Sequence, residues 1–272
     1  MYQFDYIRAD SVAQAAQVLA GNPDAKLLAG GMTLIPTLKQ RLAQPTHLVD
    51  IGALGELAGI ALVDGRLAIG AATRHVNVAT SKVVVQAIPA LARLAHVIGD
   101  PQVRNRGTIG GSVANNDPAA DYPAAVLALG ATVVTDRREI PAHDYFLGMF
   151  ATALEEGEII VRLLFPLPRR AAYSKFPHPA SGYAMAGVFV ADGTEGLRVA
   201  VTGAGPGVFR WHEAESALER DFSADALAGL TLAADDLNED IHATREYRAQ
   251  VAKVMAQRAV EAILREPTGR KS

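Results

Sequence analysis

Apolar residues recur at helical spacing after Asp10-Ser11, at Val12, Ala15, Ala16 and Leu19, and Gly21-Asn22-Pro23 ends that run. Lys26-Leu27-Leu28-Ala29 is a short strand pattern that runs into Gly30-Gly31, a second helix starts near Thr33, and Leu48-Val49-Asp50-Ile51 follows as a strand. The first fifty residues thus predict a β-turn-α-β unit. Ile60 to Val63 and Arg66 to Ile69 flank Asp64-Gly65, a strong hairpin signal. A helical stretch over 76–97 contains Pro89, which divides it into two helices. A further helix is expected over 122–129, closed by Gly130, with strands at 131–134 and 158–161. Four prolines fall within 166–179, around Arg169-Arg170, and mark the expected domain boundary. Beyond it, 183–191 and 197–202 alternate like antiparallel strands. A long helix over 243–265 carries Tyr247, Val251, Val254, Met255 and Ala259 on one stripe, expected to be core, with its Arg and Lys residues on a solvated face.

A chain of 272 residues suggests about two domains and buries a core without help from crosslinks. Twenty-six basic against 29 acidic residues give a net charge of −3, so nothing general draws the chain to nucleic acid or an anionic membrane. Zero cysteines exclude disulfides, thiol nucleophiles and iron–sulfur clusters held by this chain. The stretch from Met1 to Tyr6 lacks a signal-peptide pattern and no run reaches ~20 apolar residues, so no membrane span is expected and the cytoplasm is the expected compartment. Seven histidines are scattered without ligand-like spacing, so no metal site is expected.

The most legible chemistry is anion binding by backbone. Ala29-Gly30-Gly31-Met32-Thr33 lies at a strand-to-helix turn, where glycines admit left-handed dihedrals and close approach of a ligand to the main chain. Thr108-Ile109-Gly110-Gly111-Ser112 repeats the pattern. Neither is a Walker A loop or a G-x-G-x-x-G fingerprint. Nanomolar binding needs about 12 kcal/mol net, whereas one charge-assisted hydrogen bond supplies ~1.5–3 kcal/mol, so two loops acting together suit a dinucleotide better than one.

AGGMTLIPTLKQRLAQPTHLVDI (29–51) and TIGGSVANNDPAADYPA (108–124) resemble the two FAD-binding signatures of the molybdenum hydroxylase flavoproteins, the medium subunits of carbon monoxide dehydrogenase-like and xanthine dehydrogenase-like enzymes. The likeness continues through YSKF (173–176), SGYAMAGVFVA (181–191) and HATREYRAQVAKVMAQRAV (242–260). It implies an α+β fold. A two-subdomain FAD-binding domain of the PCMH type would occupy 1–168 (about 1–55 and 56–168), and a small antiparallel sheet with helices would occupy 172–268. It also implies a role: FAD in this chain takes electrons from a small iron–sulfur subunit and passes them to NAD, a quinone or oxygen. A large subunit would carry the molybdenum cofactor, in a dimer of heterotrimers.

The resemblance places Leu27, Leu28, Ala29, Gly30, Gly31, Met32 and Thr33, with Thr108, Ile109, Gly110, Gly111 and Ser112, around the pyrophosphate and ribose, through amides and the three hydroxyls. It sets Ile98 against the flavin or its linker, Asp121 on the nucleotide portion, Ile160 on a ring edge, Lys175 near the flavin's polar edge and Tyr183 over the isoalloxazine. On residue type alone, Asp121 also suits a helix cap, Tyr183 suits strand packing and Lys175 a solvated position, while Arg104 and Arg106 suit a partner surface, the nucleotide or solvent. Ser112 stands where the family often has Asn, and Pro177-His178-Pro179-Ala180 replaces its basic stretch. The alternatives are a stand-alone flavoprotein oxidoreductase of the same fold and a flavin-less scaffold. Bound flavin and partner dependence separate the three.

Overall fold

The computed structural model describes residues 1–265; the last three residues of the expected second part, 266–268, lie outside the described residues. The chain opens with β1 (Asp5–Arg8), α1 (Val12–Gly21), β2 (Lys26–Leu28), α2 (Leu34–Lys39) and β3 (His47–Asp50), and its strands form a parallel sheet in the order β1-β3-β2. The Ser11 hydroxyl accepts the Gln14 amide and starts α1. β1 is absent from the hydrophobic pattern because Asp5, Tyr6 and Arg8 of this edge strand are exposed.

The middle of the chain runs β4 (Ile60–Val63), β5 (Arg66–Gly70), α3 (His75–Thr80), α4 (Lys82–Ala87), α5 (Pro89–His96), α6 (Pro101–Arg106), α7 (Ile109–Asn115) and α8 (Tyr122–Ala128). It continues through β6 (Thr132–Thr135), β7 (Glu139–Pro141), α9 (Ala142–Tyr145), β8 (Phe146–Gly148), β9 (Ala151–Thr152) and β10 (Ile160–Pro166). An antiparallel sheet forms in the order β4-β5-β10-β6-β7. The β4–β5 turn is the expected one, with positive φ at Asp64 and Gly65. Pro89 does start a helix, but 76–97 holds three helices rather than two, because Ser81 is extended and its hydroxyl caps α4 at Val84. α6 and α7 escape the pattern reading. Each is a short helix begun by a side-chain cap, Asp100 on Val103 and Thr108 on Gly111, and α7 contains both glycines of the second pair. β10 begins at Ile160 instead of 158, since Glu158 is held in a turn by Arg138 and the Glu155 amide.

The rest comprises β11 (Arg170–Pro177), β12 (Ala184–Gly193), β13 (Gly196–Thr202), β14 (Phe209–Arg210), α10 (His212–Arg220) and α11 (Arg245–Arg265), with one antiparallel sheet in the order β11-β12-β13-β14. One face of this sheet packs Val188, Val190, Val199 and Val201 against Trp211 of the β14–α10 junction and Met255 and Ala259 of α11. Phe189, Ala191 and Ala200 on the other face join the core of the middle sheet and α8. β12 is therefore buried on both faces, which explains its near-continuous apolar run.

The buried stripe of α11 is rotated from the expected one. Met255 and Ala259 are core, but Tyr247 is exposed, and Ala249, Ala252, Ala256, Val260 and Ile263 complete the buried face, because alanines let the helix lie close to the sheet. Arg248, expected on a solvated face, is buried. Its Nη1 donates to the carbonyls of Met185 (2.9 Å) and Gly203 (3.0 Å), and its Nη2 to Asp240 (2.6 Å). Among the described residues no helix is long and apolar enough to cross a membrane.

Arg248→Met leaves two buried carbonyls without their donor and should lower unfolding stability by roughly 2–4 kcal/mol in a denaturant titration. A loss within experimental error of zero would show that the buried guanidinium is not what ties α11 to the β12 and β13 ends.

Candidate functional site

The two glycine segments, 78 positions apart at Gly30 and Thr108, are brought together by backbone packing. A Cβ on Gly30 would lie 2.2 Å from the Arg106 carbonyl oxygen, and one on Gly110 would lie 2.5 Å from the Ala71 Cβ. Gly31 sits at φ +71°, the left-handed region open to glycine. Between the segments runs a groove of about 660 Å³, within the size range of small-molecule and cofactor sites. Of the residues singled out from sequence, Leu27, Ala29, Gly30, Gly31, Met32, Thr33, Ile98, Thr108, Gly110, Gly111, Ser112, Asp121, Ile160 and Tyr183 line it. Leu28, Ile109 and Lys175 do not. Leu28 turns back towards Gly31, and Ile109 is buried in the core on the opposite side of α7.

The two segments offer different chemistry. Among the described residues, the amides of Gly30, Gly31, Met32 and Thr33 donate no hydrogen bond. The amides of the second segment are already engaged: Ile109 on the Thr73 carbonyl, Gly110 on that of Ala71, Gly111 on the Thr108 hydroxyl and Ser112 on the Thr108 carbonyl. Backbone amides were expected from both segments. The structure leaves open those of the first, while the second reaches the groove with the hydroxyls of Thr108 and Ser112 and with the space its glycines clear.

The charged groups are mostly satisfied internally. Asp121 is buried, makes no cap bond to α8, and accepts from the Tyr173 hydroxyl (2.5 Å) and Lys175 Nζ (3.0 Å). Burial raises its pKa, opposed by the Lys175 charge and the Tyr173 hydrogen bond. Lys175, expected near a ligand's polar edge or in solvent, is buried, and its ammonium also donates to the carbonyls of Val97 (2.7 Å) and Gly182 (2.8 Å). Glu158, in the groove lining, is held to a pKa of about 2, chiefly by its hydrogen bonds from Arg138. Tyr183 is half-exposed at the groove, with its hydroxyl pKa raised by burial and by Asp117 and Asp121.

Three further residues shape the site. Arg104, left open between ligand, partner and solvent, donates from Nη1 to the carbonyls of Ile98 (2.9 Å) and Gly99 (3.2 Å) and so fixes that wall. Glu158 is the second. His75 is buried in the lining against the Tyr122 ring, with its Nδ1 unpartnered and its pKa pushed down to about 4 by burial and then by the Arg104 charge. No pattern in a single sequence marks it, since its neighbours are set by the packing of α3 on α6 and α8.

The family model described as FAD binding domain in molybdopterin dehydrogenase matches residues 2–168. The chain is 39% identical to the 6-hydroxypseudooxynicotine dehydrogenase complex subunit alpha of Paenarthrobacter nicotinovorans, covering 94% of this chain and 93% of that protein. It is 36% identical to the carbon monoxide dehydrogenase medium chain of Hydrogenophaga pseudoflava, with 96% of each covered. Its structure is similar to a chain of Hydrogenophaga pseudoflava carbon monoxide dehydrogenase (TM-score 0.86, 37% identity, 97% and 98% covered). It is also similar to one of quinoline 2-oxidoreductase from Pseudomonas putida 86 (TM-score 0.87, 31% identity, 96% and 97% covered). These likenesses define an FAD-binding oxidoreductase subunit, and the chain belongs to the FAD-binding medium subunits of the molybdenum hydroxylase family.

His75 supplies a pH test of this packing. The unfolded chain protonates this group near pH 6.5 and the native one near 4, so stability falls as pH drops through that window. Between pH 7 and 5 the wild type should lose about 2 kcal/mol more than His75→Gln in urea titrations. Equal losses would contradict a buried neutral imidazole.

Proposed function

We propose that this chain binds FAD in the groove between residues 29–33 and 107–112 and serves as the electron-transfer subunit of a three-part molybdenum hydroxylase. The observation that carries the reading is the groove itself, with four undonated amides at 30–33, in a chain that covers 96% of a carbon monoxide dehydrogenase medium chain. Its residues fit the cofactor. The amides of 30–33 suit the phosphates, the Thr33, Thr108 and Ser112 hydroxyls suit phosphate or ribose oxygens, and Ile98, Ile160 and Tyr183 suit the rings. With Asp121 and Glu158 each paired to a cation, these buried carboxylates add little net negative charge against a pyrophosphate.

FAD supplies the redox chemistry, accepting electrons and releasing them to a second molecule. The protein binds and orients it, and the apolar side chains at Ile98 and Ile160 exclude water from the ring. In this reading 1–168 is the FAD-binding part and 172–268 the C-terminal α+β part. A small iron–sulfur subunit delivers the electrons, a large subunit holds the molybdenum cofactor, the complex is a dimer of heterotrimers in the cytoplasm, and the acceptor is NAD, a quinone or oxygen. The names of the relatives, subunit of a dehydrogenase complex and medium chain, support the partnered role over a stand-alone enzyme.

The purified chain should carry FAD at about one per chain, and its colour should bleach with substrate only when both partner subunits are present. Thr33→Glu, which puts a carboxylate beside the open amides, should weaken FAD binding at least 100-fold with the circular dichroism spectrum unchanged. Full occupancy in that variant would remove the phosphate from this loop.

A further inference from the structure

Lys175 lies outside the groove lining, yet its ammonium touches both segments that close one end of the groove. An ammonium has three N–H donors, and three acceptors surround this one: the Val97 carbonyl at 2.7 Å, the Gly182 carbonyl at 2.8 Å and the Asp121 carboxylate at 3.0 Å. The side chain is 5% exposed, so no donor remains for a ligand. Val97 precedes Ile98 and Gly99, and Gly182 separates Ser181 from Tyr183; all four flanking residues line the groove. The two segments touch there, since a Cβ on Gly182 would lie 3.6 Å from the Gly99 Cα and carbonyl oxygen.

The remaining bonds of 181–183 run within the loop itself. Gly182 donates to the His178 carbonyl, His178 to that of Tyr183, and Tyr183 to the Ser181 hydroxyl. The 97–99 segment, by contrast, has its own second anchor in Arg104. Among the described residues, the bonds from the Lys175 ammonium are therefore the hydrogen-bonded link between 181–183 and the 97–99 segment, while the next residue, Ala184, donates to the Ala119 carbonyl (3.2 Å).

We propose that Lys175 is a positioning residue that pins the 181–183 loop, through Gly182, onto the Val97–Gly99 segment and so holds Tyr183 in place across the groove. Asp121 neutralises the buried ammonium, and Tyr173 holds Asp121 from the same strand as Lys175. The inference rests on the reading that FAD occupies this groove. It differs from the role expected from sequence, because Lys175 acts on the cofactor only through the backbone it holds.

The test compares full-length wild type, Lys175→Met and the double variant Lys175→Met/Asp121→Asn, in which no buried charge is stranded. The double variant should melt within a few degrees of wild type in the apo form. It should also release FAD roughly tenfold faster in a stopped-flow fluorescence assay, and the visible band of its bound flavin should shift. A folded double variant with wild-type release rate and spectrum overturns the proposal. Hydrogen exchange on the wild type decides the case if the variants fail to fold. Gly182 and Tyr183 amides protected like those of β12 support the clamp, and amides exchanging at the rate of an open loop refute it. A wild-type chain that binds no FAD counts against the groove's assignment, and the same exchange measurement then still decides the clamp.

Discussion

Two backbone segments approach so closely in this protein that only glycine fits between them. Gly30 packs on the Arg106 carbonyl and Gly110 on Ala71, at separations where a Cβ would stand 2.2 and 2.5 Å from its neighbours. Overpacking of this kind costs ~1–3 kcal/mol even when the surroundings yield, and backbone yields poorly. The approach places the turn after β2 beside the start of α7, and the groove exists because both are there. Gly107 extends the same constraint, since a Cβ there would meet the His75 ring at 2.5 Å. The glycines thus act first through the space they leave, and in the second segment that is their main effect.

The groove's electrostatics depend on which of the charges around it are paired. Asp121 is matched by Lys175 and Glu158 by Arg138, and His75 is held neutral by burial. The polar surface that remains consists of amides and hydroxyls, with the Lys26 ammonium and the Asp117 carboxylate also in the lining. Both ion pairs also fasten segments: Glu158 holds the turn before β10, and Lys175 joins the C-terminal sheet to the wall at Val97. A buried pair adds little stability against apolar groups of like volume, so the structural consequence of these pairs is position.

Much of this was legible from residues. The hairpin at Asp64-Gly65, the capped start of α1, the long terminal helix and the β12 and β13 strands of the C-terminal sheet follow from periodicity and turn chemistry, which are local. The two glycine segments were legible as a pair because they repeat one pattern, and the groove confirms that they meet. Properties set by long-range packing were not legible. Whether the amides of Ile109 and Gly110 are free depends on Thr73 and Ala71, some forty residues earlier. Arg248 and Lys175 look like solvated cations until carbonyls converge on them, those of Met185 and Gly203 on the first and those of Val97 and Gly182 on the second. Ser81 breaks a helix that its apolar neighbours would continue, because its own hydroxyl caps the next one.

Amide resonances followed as FAD is titrated into the apo chain test the central claim most directly, since they report each donor separately. Phosphate bound at the first segment gives large shifts and slowed exchange for Gly30, Gly31, Met32 and Thr33, with the Ile109 and Gly110 amides, already bonded to Thr73 and Ala71, changing little. Shifts confined to 109–112, with 30–33 unmoved, would contradict it.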